Sequence, residues 1–187
     1  MKKTLFLLIS LLPCFAIAQK KSIDGFMDIP FGSDSATVKA AVIAKGGRQL
    51  DSLCTKDELV FSNLSLNQRP VVHLFVEFVK NKAYQAIFSF EYSDNDILRA
   101  YDALAHDITA VYGKPYETDN HPEFRSLTAK IRKIKSKDII VKTVWLAKNK
   151  NGMAVVINPV SQSLMLALLY QENSLAKMVA DKRRSDL

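Results

Sequence analysis

The chain has 187 residues, 48% of them hydrophobic and 24% charged, with a formal net charge of +7. That composition excludes a disordered chain and supplies enough apolar mass for one buried core. The excess of positive charge is too mild to imply nucleic acid.

The first eighteen residues read as a secretory leader. Lys2 and Lys3 precede an apolar run from Leu5 to Ala18, which ends on Ala16-Ile17-Ala18 before Gln19. A basic start, a short apolar stretch and a small-x-small site form a signal peptide, cleaved here between Ala18 and Gln19. A retained anchor needs about 18 or more apolar residues, whereas this run is shorter and contains Ser10 and Pro13. Cys14 raises lipidation as an alternative, but Pro13 is a poor residue before a lipidated cysteine. Removing 18 of 187 residues leaves a mature chain of 169, and the loss of two lysines lowers its formal charge to +5. The expected location is periplasmic or secreted, with no membrane span after cleavage. Only Cys54 then remains, so an internal disulfide is impossible; the thiol is either buried and structural, or reactive or paired between molecules.

Residues 19–32 form an entry segment ending in Ile29-Pro30-Phe31-Gly32. Ser33 or Asp34 caps a helix to about Lys45, stopped by Gly46-Gly47, with Val38, Ala41 and Val42 inward. Three strands follow. Leu59 to Leu66 carries a phase shift that predicts a bulge near Ser62-Asn63. Val71 to Val79 places Val72, Leu74, Val76 and Phe78 on one face, and Ala83 to Tyr92 does the same with Tyr84, Ala86, Phe88 and Phe90. Lys80-Asn81-Lys82 is the hairpin between the last two. Asp94 is placed to cap a helix in which Ile97, Leu98, Tyr101, Leu104, Ala105, Ile108, Val111 and Tyr112 recur every three or four residues, ending at Gly113 and Pro115. Residues 116–138 are polar, with a short helix near Phe124 to Lys133. Strands at 139–147, 153–158 and 164–170 come next, with Asn151-Gly152 as the turn between the first two. The last helix covers 172–184, where Lys182, Arg183 and Arg184 complement its dipole.

Runs of strands between helices predict an α+β fold, with antiparallel sheet, flanking helices and the order α-βββ-α-βββ-α. The mature chain 19–187 reads as one domain, built from two pseudo-repeat halves, 26–92 and 93–171, and the C-terminal helix.

The segment IPFGSDSATVKAAVIAKGG, the later YGKP and the Trp-bearing strand TVWLAK resemble a pattern of small secreted α+β proteins of Gram-negative bacteria, over roughly residues 25–170. The resemblance implies a fold and an envelope location, and no chemistry. The layout is also similar to the β-lactamase-inhibitor-protein-like class, by topology alone, although this chain lacks that class's disulfides.

No sequence motif for catalysis, metal or cofactor binding stands out. His73, His106 and His121 lack ligand spacing, and Glu91, Asp94 and Asp96 are explained as first-turn charges. Five bases, Lys130, Arg132, Lys133, Lys135 and Lys137, interleave with Ile131 and Ile134. They form either a solvated loop or a patch facing anionic lipid or glycan. Phe75, Val79 and Ile87 lie on the second sheet face and mark either a covered face or a partner surface. Asn63-Leu64-Ser65, Asp34-Ser35-Ala36 and Asp51-Ser52-Leu53 match short glycosylation patterns. The expected function is non-enzymatic binding or interaction at the cell envelope. The alternatives are a small hydrolase with a cleft near His73, Glu77 and Glu91, and a hydrophobic-ligand carrier using Tyr84, Phe88 and Phe90.

Overall fold

The computed structural model describes residues 21–124 and 126–185. The predicted leader lies outside them. Among the described residues no helix is long and apolar enough to cross a membrane.

Two short strands, β1 (Gly25–Phe26) and β2 (Ile29–Pro30), make a hairpin in the entry segment through Met27 and Asp28, both at positive φ. Mutual hydrogen bonds of 2.8 Å, Gly32 N–H to Ala83 O and Ala83 N–H to Ser33 O, then fasten the chain to the sheet. Helix α1 (Ser35–Ala44) starts on Asp34, whose carboxylate accepts the Thr37 N–H at 2.7 Å. That bond holds the Asp34 carboxyl below its ordinary value. Val38 and Val42 are its buried residues, and Gly46, at φ 90°, turns the chain after it.

Strands β3 (Arg48–Gln49) and β4 (Glu58–Ser62) follow. The bulge expected at Ser62-Asn63 is instead a strand break. Asn63 adopts φ 60°, and β5 (Leu64–Leu66) leaves the sheet to pair with β6 (Arg69–Val71) in a separate ribbon. Arg69 ties this ribbon to the following long helix through Asp107 at 2.7 Å. Strands β7 (His73–Val79) and β8 (Lys82–Glu91) form the expected hairpin, with Lys80 and Asn81 both at positive φ.

Helix α2 (Ile97–Tyr112) buries Ile97, Tyr101, Leu104 and Ile108. Its N-cap position is Asp96, so the expectation for Asp94 is corrected: Asp94 pairs with Lys135 at 2.6 Å. A three-residue strand, β9 (Glu117–Asp119), and helix α3 (Leu127–Lys135) occupy the polar segment. Strands β10 (Val141–Leu146), β11 (Gly152–Val160) and β12 (Ser163–Gln171) complete the sheet, and α4 (Asn173–Ser185) ends the chain. Asn151-Gly152 is not the turn. The loop closes one step earlier, with Lys150 at φ 65°, because Gly152 already pairs with Leu146 and the Asn151 amide is buried, donating to Ile23 O at 2.8 Å.

The fold is α+β. One eight-stranded antiparallel sheet runs β3-β4-β7-β8-β12-β11-β10-β9. The two meanders join where β8 pairs with β12, from Gln85 opposite Gln171 to Glu91 opposite Met165. Both edge strands are very short, which limits edge-to-edge pairing.

One sheet face carries Phe61, Leu74, Val76, Phe88, Phe90, Leu166, Leu168, Val155, Ile157 and Trp145, all 0–1% exposed, in one core cluster with the inward residues of α1, α2 and α3. Helix α4 packs on β7 and β8. A 350 Å3 cleft beside it is lined by Glu77, Gln85 and Gln171, whose strand phase is opposite to the core. It therefore covers part of the other face.

Within the core, the Tyr101 and Thr143 hydroxyls meet at 2.6 Å, and burial pushes the Tyr101 phenol up to about 12. Thr143→Val removes one partner and strands the other in an apolar site. The expected cost is about 1–3 kcal/mol, whereas Tyr101→Phe with Thr143→Val is nearly neutral relative to that single change. Urea midpoints of the two single variants and the double variant check this; additive losses would show that the hydroxyls are not coupled.

Candidate ligand-binding site

The residues singled out in the sequence do not converge. His73 and Glu77 lie on the same face of β7 with Phe75 between them, four residues apart and therefore separated by about 13 Å along the strand. Glu91 sits at the far end of β8 opposite Met165, and the cleft that includes Glu77 is lined by neither His73 nor Glu91.

Glu77 has a different set of neighbours. It is the register partner of Glu58 and accepts a hydrogen bond from the Tyr84 hydroxyl. A register shift between Glu77 and Phe78 lets Ala83 pair with Phe78 and Gln85 with Glu77. Tyr84 is thereby turned away from the phase of Phe88 and Phe90, which the alternation had assigned it. Phe88 and Phe90 are 1% and 0% exposed within the core.

Burial, and then the Glu77 charge, raises the Glu58 carboxyl above its ordinary value of 4.5. A raised carboxyl pKa means the folded state binds the proton more tightly than the unfolded one. Ionised Glu58 therefore costs stability above its folded pKa, and that cost disappears as pH falls below the ordinary glutamate value. Glu58→Gln is expected to stabilise the protein at pH 7 and to have no benefit at pH 4 and below. Denaturation midpoints at the two pH values measure it; a benefit that grows at low pH would contradict it.

Phe75, Val79 and Ile87 are half-buried on the face that α4 partly covers. The basic segment is the helix α3, with Ile131 and Ile134 packed into the core. Three of its bases are engaged: Lys130 donates to Asn120 O, Lys133 pairs with Asp138 at 2.7 Å, and Lys135 pairs with Asp94. Arg132 and Lys137 flank them. The cluster thus divides into two ion pairs and one bond to a backbone carbonyl, with Lys137 past the end of the helix. Cys54 is half-buried and free, its Sγ 3.4 Å from Leu50 O and 3.3 Å from the Val60 N–H. Asp34, in a glycosylation-like triplet, is the α1 cap.

A cleft of mixed chemistry lies elsewhere, where the entry segment meets the C-terminal end of α2. A cleft of about 340 Å3 is lined by residues 21–30 together with Tyr112 and Tyr170. Its volume falls at the lower end of the range usual for small-molecule sites, ~300–1,000 Å3. Tyr112 comes from the last turn of α2 and Tyr170 from the end of β12, where it is registered against Met153 and Ala86 and stands edge-on to Phe88 at 5.9 Å.

Neither phenol has a hydrogen-bond partner among the described residues. Burial raises both phenols above the ordinary tyrosine value, with Asp24 adding to the shift of Tyr112 and Tyr112 to that of Tyr170. Both therefore stay protonated near neutral pH, each able to donate one hydrogen bond and accept others.

The opposite wall is held by the hairpin β1–β2. Ile23 O accepts from the side chains of Asn149 (3.3 Å) and Asn151, and Asp24 accepts from Asn149 at 2.8 Å and from the Ser22 hydroxyl. Lys21 places its ammonium 5.8 Å from the centre of the Tyr112 ring. Asp28, at the hairpin tip, pairs with Lys45 at 3.2 Å. Among the lining residues there is no histidine or cysteine, and the Ser22 hydroxyl donates to Asp24. The set can orient and hold a polar ligand against aromatic surface.

The sequence did not mark this site. Tyr112 fell on the helix stripe that reads as core, Tyr170 closed a strand, and residues 19–32 read only as an entry segment. No protein-family model, curated protein or solved structure matches the chain.

Proposed function

We propose that this chain is a secreted or periplasmic, non-enzymatic binding protein of the cell envelope, released by cleavage between Ala18 and Gln19 and holding its ligand in the Tyr112–Tyr170 cleft. The observation that carries the reading is two phenols lining one cleft with no hydrogen-bond partner among the described residues, beside the Asp24 and Asp28 carboxylates, the Ser22 hydroxyl and the Lys21 ammonium. Each phenol can donate one hydrogen bond and accept others, and a hydroxyl-rich ligand would engage both. The leader supports the location.

The test uses the mature chain, residues 19–187, immobilised and exposed to a bacterial envelope fraction, with bound small molecules and glycans identified by mass spectrometry. A species retained by the native chain and lost from Tyr112→Ala and Tyr170→Ala is the expected result. Equal retention by all three proteins would overturn the assignment of the cleft.

A further inference from the structure

We infer that the ligand of this cleft is a saccharide carrying a free amino group, whose ammonium takes the place that the Lys21 side chain occupies over Tyr112. The inference rests on the cleft being the binding site.

Three features set the ligand class. An ammonium already stands in the site, at 5.8 Å from the Tyr112 centroid, and it belongs to an exposed side chain at the start of the described chain. An exposed cation–π contact is worth only about 0.5–1 kcal/mol, so a ligand cation can displace Lys21 at small cost. The charges point the same way. Lys21 is the sole cation among the lining residues, against Asp24 and Asp28, and Asp24 is close enough to raise the Tyr112 phenol. With Lys21 displaced, a ligand ammonium meets the aromatic face and the Asp24 carboxylate, whereas an anionic ligand is repelled by Asp24, Asp28 being paired with Lys45.

The third feature separates a sugar from a plain alkylammonium. Two protonated phenols facing one cleft can each donate and accept, which ring hydroxyls answer and an alkyl chain does not. The partly buried Met27 and the Tyr112 ring offer apolar surface for the C–H face of a pyranose. An N-acetylated sugar retains those hydroxyls and loses the charge, which makes it the discriminating control.

The experiment titrates the mature chain with glucosamine, N-acetylglucosamine and glucose, and with short oligomers of the first two, followed by calorimetry and by the tyrosine NMR signals. Glucosamine forms are expected to bind roughly tenfold tighter than the acetylated and neutral forms, the ratio that about 1.4 kcal/mol provides. Lys21→Ala, a change at an exposed position, is expected to increase glucosamine affinity severalfold by removing the internal competitor. Asp24→Asn is expected to decrease it, with circular dichroism verifying the fold. Equal affinity for glucosamine and N-acetylglucosamine would overturn the ammonium preference and leave the cleft as a sugar site. No binding of any sugar, alongside a Tyr112- and Tyr170-dependent species from the envelope fraction, would overturn the ligand class alone. No sugar binding together with tyrosine-independent capture would overturn both this inference and the function on which it rests.

Discussion

Trp145→Ala is expected to remove a large share of the stability of this domain. Trp145 is 1% exposed in β10, packed in the core and registered against Met153. Its indole N–H donates to Gly113 O at 3.1 Å, so one side chain ties the end of α2 to the sheet. Truncating a buried tryptophan costs about 3–5 kcal/mol in lost transfer energy and residual cavity. A domain of this size is stable by only about 5–15 kcal/mol. At about 2–4 °C per kcal/mol for chains of this length, the melting temperature should fall by roughly 10–15 °C. Because Trp145 is the only tryptophan, the measurement is thermal or urea denaturation followed by circular dichroism. Trp145→Phe, which preserves ring volume and loses the N–H donor, should cost clearly less. A loss below 1 kcal/mol for Trp145→Ala would mean that the indole does not fill the core as described.

Gly25→Ala is expected to damage both the fold and the cleft. A Cβ at residue 25 would lie 2.0 Å from Ile29 O, 2.8 Å from Ile29 C and 2.9 Å from Pro30 Cα. All three are backbone atoms of the partner strand, so no side chain can rotate away. The hairpin β1–β2 must separate, and with it the wall that faces Tyr112 and Tyr170. Overpacking of this kind costs about 1–3 kcal/mol, and a purely backbone clash belongs at the upper end. Gly32→Ala is the control. Its φ of 83° is unfavourable for alanine, yet no atom lies within 4 Å of the added carbon. It should cost about 1–2 kcal/mol through backbone strain and leave the cleft intact. Urea midpoints rank the two variants, and envelope capture separates them; retained ligand in Gly25→Ala would show that the hairpin is not the wall of the site.

Much of the fold could be read locally because it depends on local signals. The capped helix after Gly32 agrees with α1 within one or two residues, since Asp34 and Gly46-Gly47 act on their immediate neighbours. The stripe from Ile97 to Tyr112 gives the bounds of α2, although Val111, expected on its inward face, is exposed. Lys80-Asn81 forms the hairpin between two strands of strong alternation. The departures have tertiary causes. The strand expected through Leu66 breaks at Asn63 because β5 and β6 find each other and a salt bridge to α2. Asn151-Gly152 resembles a turn, yet the Asn151 side chain is needed by Ile23 and Gly152 by the ladder. Asp94 is drawn off its helix by Lys135. The strands β1, β2, β3 and β9 were not anticipated, because two- and three-residue strands carry no period and exist only where a partner is supplied.

The candidate site belongs wholly to this second class. Tyr112 and Tyr170 each have a sufficient local explanation, one as helix stripe and one as strand end. Only their meeting under the β1–β2 hairpin gives their hydroxyls a shared purpose. By itself the sequence determined the α+β class, the long helices and the principal strands, because periodicity and capping act over a few residues. The tertiary structure alone decided that two meanders form one eight-stranded sheet, that α4 lies on the face opposite the core, and that a cleft lies at the end of α2. Those outcomes depend on which distant surfaces bury each other, and pairwise burial between segments leaves no mark on either segment alone.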